Sequence, residues 1–236
     1  MTAPRYSLPD LPEVALTLRR SARARRFSLR VSRHDGTVTL TVPARAAIAE
    51  ALAFAHSQSD WLRRALDRVP QVAPLGFGAT IPFEGRVRTL TPGPVRAPKV
   101  QDDLLILPAD GRRLLPLLQA FLKHCARVRL QAATERHAAM LGRGFRKITL
   151  RDTRSRWGSC AQDGSLSYSW RLIMAPPSVL DYVAAHEVAH LAEMNHSPAF
   201  WAVVARLRPA YADDRAWLKT QGAALQAIRF DAQLGD

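Results

Sequence analysis

His186-Glu187-Val188-Ala189-His190 is the stretch of this chain best equipped for chemistry, and a third histidine, His196, follows six positions later. On an α-helix of about 3.6 residues per turn, positions four apart lie about 40° apart around the axis, one turn up. The spacing therefore predicts that His186 and His190 face the same way and grip one Zn²⁺ through neutral imidazoles. Glu187 then stands beside the first ligand, where a carboxylate can take a proton from water. The bland alternative is a helix with two solvated histidines and an unrelated glutamate. The flanks argue against it. Pro176-Pro177 breaks the preceding segment, Ser178 is the expected N-cap, and Val179, Tyr182, Val183, Ala185, Val188 and Ala189 make the helix apolar beside the histidines. A helix apolar nearly all round is buried. Unpaired polar groups there cost several kcal/mol, and one cation would satisfy all three.

A catalytic zinc commonly has three protein ligands and an open position. His196 is the first candidate for the third. If the helix ends near Met194, a left-handed Asn195 would swing His196 back toward the pair. Ser197-Pro198 then reads as the N-cap and first-turn proline of a helix carrying Phe200, Trp201, Val204 and Leu207. Glu193 and Cys160 are the alternatives: Glu193 lies one turn beyond His190, and a Cys160 thiolate from a nearby strand would complete a His-His-Cys set. One Zn²⁺ per chain is expected, although histidine sites accept other divalent ions. For groups that touch substrate or the transition state, the candidates are Arg156, Tyr168, Arg171 and Tyr211.

The elements that must position these residues form two parts, residues 1–110 and 111–236. Phe27 to Val31 and Val38 to Val42 alternate around Asp35-Gly36 and read as a β-hairpin. Residues 45–69 read as one helix with Ile48, Leu52, Phe54, Trp61, Leu62 and Leu66 toward the core. Gly76 to Pro108 reads as short strands and turns, and Arg112 to about Leu141 as a long helix whose His124 and His137 are not ligands. Lys147–Arg151 is a strand. Trp157 to Cys160 and Ser165 to Leu172 flank the Asp163-Gly164 turn, directly before the histidine helix. No internal repeat is visible. The fold class expected is α+β: the histidine helix beside a small antiparallel sheet, preceded by a smaller α/β N-terminal region. A peptide could add to an exposed edge of that sheet.

With 236 residues and 47% hydrophobic content, the chain has ample material for a core. No run approaches 18 apolar residues, and Met1 to Asp10 lacks an apolar signal core. Cys125 and Cys160 are too few for a disulfide framework, so a reducing cytoplasm is expected. The net charge is +14, carried by 30 arginines and only four lysines. Such a bias reflects codon composition as readily as a partner, yet a chain this basic attracts polyanions. Arg19, Arg20, Arg23, Arg25, Arg26, Arg30 and Arg33 form the densest cluster, with no acid between Val14 and His34. A solvated edge strand explains it as simply as nucleic acid does.

Arg156-Trp157-Gly158-Ser159-Cys160, the histidine pair with Glu187, and Asn195-His196-Ser197-Pro198-Ala199-Phe200-Trp201 together resemble the YgjP-like metallopeptidase-type family of metal-dependent hydrolases. The blocks span roughly residues 147–211, and the arginine-rich hairpin and tryptophan-bearing helix are also similar. The resemblance implies a zincin-like domain, with His186, His190 and His196 as zinc ligands and Glu187 as general base and acid. It leaves the substrate open. The three-histidine spacing matches the metzincin motif, but Glu193 stands where that motif has glycine, and no methionine follows Met194. The spacing is also similar to that of Wss-one-like and SprT-like proteases, which act on DNA-crosslinked proteins.

The activity expected is peptide-bond hydrolysis of a peptide or protein substrate. Arg151, Arg154, Arg156 and Arg171 keep a second class open, since guanidinium forks suit the phosphates of a nucleotide pyrophosphohydrolase. A DNA-associated protease is a third reading. A nucleic-acid-binding module with a structural zinc closed by Cys160 is a fourth.

Overall fold

In the computed structural model of the chain, residues 5–32, 36–68, 75–153 and 155–230 are described. Arg33, His34, Asp35 and Arg154 lie outside them. The chain divides into two compact units, Met1–Gln71 and Val72–Asp236. The expected break near residue 110 falls inside the second. Leu90, Leu105 and Leu107 share one buried cluster with Leu114, Leu118 and Val183, so the short strands belong with the long helix.

The first unit contains β1 (Arg5–Leu8), β2 (Leu11–Ser21), β3 (Ser28–Val31) and β4 (Val38–Pro43) in the order β1-β2-β4-β3. β3 and β4 pair antiparallel, forming the expected hairpin. β2 runs parallel to β4, with Leu18 opposite Leu40. Period-two alternation puts Leu16, Leu18, Val38, Leu40 and Val42 on one buried face. The helix expected over 45–69 is two helices, α1 (Ile48–Ser57) and α2 (Ser59–Leu66). Gln58 between them has φ −104° and ψ 15°. That one non-helical residue resets the helical phase. Ala51, Ala55 and Leu62 are buried, while Trp61 turns outward and keeps 41% of its surface exposed.

The second unit opens with β5 (Thr80–Phe83), β6 (Arg86–Gly93), β7 (Lys99–Gln101) and β8 (Leu104–Pro108), in the order β5-β6-β8-β7. This is the topology of the first sheet again: two antiparallel pairs joined through a parallel centre. Glu84 and Gly85, with φ of 48° and 75°, make the two-residue turn between β5 and β6. A Cβ on Gly85 would lie 2.8 Å from Pro176 Cα, just before the histidine helix, so glycine serves both turn and close approach.

A 3-10 turn at Gly111–Arg113 leads into α3 (Leu114–Leu141), which ends at left-handed Gly142. Its His124 is exposed, and its His137 is buried on Asp181. The small sheet is β9 (Lys147–Arg151), β10 (Gly158–Cys160) and β11 (Ser165–Ser169), ordered β10-β11-β9. β10 and β11 form the expected hairpin, but β9 pairs parallel with β11. The sheet is therefore mixed rather than antiparallel, because the segment after β9 crosses over and leaves β11 in the centre. The strand expected to run to Leu172 stops at Ser169, and Trp170–Met174 is a buried 3-10 turn. α4 (Pro177–Ala189), α5 (Pro198–Leu207) and α6 (Tyr211–Ala227) follow. Pro176, not Ser178, is the residue before α4. α4 packs against α3, α5, α6 and β10, with Val179, Val183 and Val188 in the core. Among the described residues, no helix is long and apolar enough to cross a membrane.

Candidate active site

α4 ends at Ala189, a turn earlier than expected, and His190 is its C-cap residue. The next residues coil tightly: the Leu191 N–H donates to the Val188 carbonyl, and the Ala192 and Glu193 N–H groups to that of Ala189. Asn195 is not left-handed. Its Oδ1 instead accepts from the Ser197 N–H at 3.1 Å, a side-chain turn that delivers His196 to the same place. Ser197 caps α5 as expected, its Oγ accepting from the Phe200 N–H at 3.3 Å.

The three imidazoles converge, each offering a nitrogen within 4.8 Å of the others. His186 Nε2 and His196 Nε2 are 3.1 Å apart. Tetrahedral zinc with ligands at about 2.0–2.1 Å holds its nitrogens about 3.3–3.4 Å apart, so the set fits a small divalent cation. Two features sharpen the fit. His190 Nδ1 lies 3.0 Å from the Glu193 carbonyl; a proton shared there leaves Nε2 as the free acceptor. Burial, reinforced by His190, His196 and Arg215, pushes the His186 pKa down to about 3. Burial likewise lowers that of His190. Lone pairs are thus available at neutral pH.

Glu187 is 5% exposed, and burial pushes its pKa up to about 8 against the opposing pull of Arg156. The carboxyl stands against β10. A Cβ on Gly158 would come within 2.4 Å of its Oε1, so only glycine leaves it room. The neighbouring Trp157 is received in turn by Gly222 on α6, where a Cβ would lie 2.9 Å from Cζ2 of the indole. Long-range contact gives each glycine its role, which is why spacing alone did not expose them.

The remaining candidates separate. Neither Glu193 nor Cys160 joins the histidine cluster. Glu193 contributes its backbone carbonyl only. Cys160 donates to the Ala161 carbonyl, and burial, with Glu187 nearby, pushes its thiol up to about 11. Arg171 is committed elsewhere. Its Nε donates to Asp152 at 2.6 Å, and its Nη1 to the carbonyls of Leu225 and Ile228 at 2.9 and 2.7 Å. It ties the end of α6 to the small sheet and has no fork left for a phosphate. Tyr168 is fully buried, with its hydroxyl 3.1 Å from Thr134 Oγ1. Arg156 is exposed and near enough to influence Glu187. Tyr211 belongs to an aromatic wall: it stacks on Trp201 with centroids 5.5 Å apart, and Trp201 lies 5.8 Å from His186 and 5.9 Å from His196. Arg215, which sequence spacing did not mark, lies over Trp201 at 4.6 Å.

Residues 25–221 match the sequence pattern of the YgjP-like family, metallopeptidase domain. The chain belongs to that family and is a metal-dependent hydrolase. Comparison with curated proteins finds no match. Among solved structures, the crystal structure of the metallopeptidase zymogen of Pyrococcus abyssi abylysin is similar at 21% identity and a TM-score of 0.34, over 39% of this chain and 95% of that one.

Proposed function

We propose that the chain is a zinc-dependent peptidase in which His186, His190 and His196 hold the ion and Glu187 carries the proton. The observation that bears most weight is the meeting of three imidazoles, from α4, its C-cap and the turn before α5, within 4.8 Å of one another, beside a buried Glu187 that faces Gly158. Zinc, when bound, would act as a Lewis acid toward a peptide carbonyl. Glu187 does the work of general base: in its carboxylate form, which Arg156 favours against burial, it accepts a proton from water and returns it to the leaving amine. β10 is an edge strand of the small sheet and lies beside α4, which supports an extended polypeptide as substrate, added along its open side. With Arg171 bound to Asp152 and two carbonyls, the phosphoanhydride reading loses one of the four arginines it rested on.

The test pairs metal analysis with two assays on zinc-loaded protein: cleavage of an unfolded protein and release of pyrophosphate from nucleotides. Unfolded protein should be cut and nucleotides left intact. Glu187→Gln should keep stoichiometric zinc and lose at least about 100-fold in cleavage rate. Normal turnover by that variant, or pyrophosphate release alone, would defeat the proposal.

A further inference from the structure

The first unit carries a surface that the hydrolytic site does not use. Between Met1 and Gln71 the chain has twelve arginines, no lysine and six carboxylates. Two of those acids are engaged, Asp10 with His56 at 2.7 Å and Asp60 with Arg63 at 3.2 Å. Among the described residues, Arg19, Arg23, Arg25, Arg26, Arg30 and Arg68 are all exposed and pair with no carboxylate. Strand register places part of this charge. Arg30, Thr39 and Thr17 form one row across β3, β4 and β2, and Ser28, Thr41 and Arg19 form the next. Both rows lie on the face opposite Leu18 and Leu40, and they hold only hydroxyls and guanidiniums.

At the sheet's edge, β3 and α2 bound a groove of about 570 Å³ lined by Leu29, Arg30, Val31, Trp61, Ala65 and Arg68. Trp61 and Ala65 are four residues apart on one side of α2, and Arg68 follows two residues past its end. The largest apolar side chain of the unit is thus partly open to solvent in a groove that Arg30 and Arg68 also line. We propose that this groove binds single-stranded nucleic acid, with a base stacked on Trp61 and phosphates on Arg30 and Arg68. Guanidinium forks match phosphate oxygens, and an indole face accepts any base. A duplex offers phosphates but hides its base faces. An acidic peptide offers charge but nothing flat for the indole.

Fluorescence anisotropy of a labelled oligothymidylate of about 16 nucleotides, titrated with the full chain, tests this. Affinity should fall steeply between about 50 and 200 mM salt. Trp61→Ala should weaken binding about tenfold at an unchanged salt slope, and Trp61→Phe should recover most of the loss. Arg30→Gln with Arg68→Gln should flatten the log–log slope by about 1.4, the share of two phosphates on a single strand. Circular dichroism verifies folding, and the phenylalanine and double-glutamine variants carry the test should the alanine variant unfold. Absence of binding at the lowest salt would overturn the proposal. So would tighter binding of a duplex, equal displacement by polyglutamate, or full affinity in Trp61→Ala.

Discussion

In the first sheet Leu18 lies opposite Leu40, and Leu40 opposite Leu29; in the second, Leu90 lies opposite Leu105, and Leu105 opposite Val100. β4 ends at Pro43 and β8 at Pro108, and each is followed by helix. The hydrogen-bonded frame and its central apolar row are thus the same, and what differs is what surrounds them. Arg19, one residue past Leu18, corresponds to Thr91 past Leu90. Arg30, past Leu29, corresponds to Gln101 past Val100. The helix after the first sheet breaks at Gln58 and turns Trp61 to solvent. The helix after the second runs unbroken from Leu114 to Leu141 and buries Leu118, Leu122 and Leu130 in the core that carries α4. Interior rows specify the frame; outward positions and the following helix are free to take up separate tasks, guanidinium display in one unit and support of a histidine cluster in the other.

The sharpest way to separate those tasks is Gly158→Ala. The new methyl would meet Glu187 Oε1 at 2.4 Å, too close for the carboxyl to stay where it is. Displacing a general base removes a contribution of about 10³-fold in rate, about 4 kcal/mol of barrier. Hydrolysis should fall by that amount, while zinc stoichiometry and oligonucleotide binding stay as they are. Wild-type turnover would mean that β10 yields and that Glu187 is not confined there.

Next in size is a matched pair of core truncations. Leu40 and Leu105 are both fully buried at the centre of their rows, so Leu40→Ala and Leu105→Ala should each cost about 3 kcal/mol. The consequences should diverge. Leu40→Ala loosens the Trp61 groove and weakens oligonucleotide binding without changing zinc uptake. Leu105→Ala acts on the core shared with α4 and lowers zinc retention on heating. Thermal unfolding followed with both binding assays checks this, and loss of both functions together in either variant would show one cooperative frame instead of two.

The same contrast explains what could be read from residues alone. Patterns that act within a few positions were legible: the four-residue histidine spacing, the alternation of β3 and β4, and the Ser197-Pro198 start of α5. Alternation tells which face a residue takes but not which strand it meets, so the parallel pairing of β2 with β4, and hence the repeat, stayed hidden. Trp61 was expected inside because periodicity over 45–69 assumes an unbroken helix, and Gln58 shifts that phase. Arg171 was a plausible substrate ligand until its distant partners, Asp152 and the carbonyls ending α6, took up its donors. Glu187 and His190 depend on short spacing and stood out as candidates in the sequence. Gly158 and Arg215 depend on tertiary approach and did not.

The gentlest perturbation asks whether place or charge governs the first unit. Exchanging Arg30→Gln for Gln101→Arg moves one guanidinium between corresponding edge positions and leaves the net charge at +14. Both positions are exposed, so stability should stay within about 0.5 kcal/mol. If polyanion binding came from total charge, the double variant would bind like the parent. If the groove governs it, affinity should drop as far as in Arg30→Gln alone, because the Trp61 groove is lined by Arg30 and not by the second sheet's Gln101. Anisotropy titrations of the parent, the single variant and the exchanged pair at one salt concentration decide between the two, and recovery in the exchanged pair would reduce the first unit's arginines to a diffuse positive field.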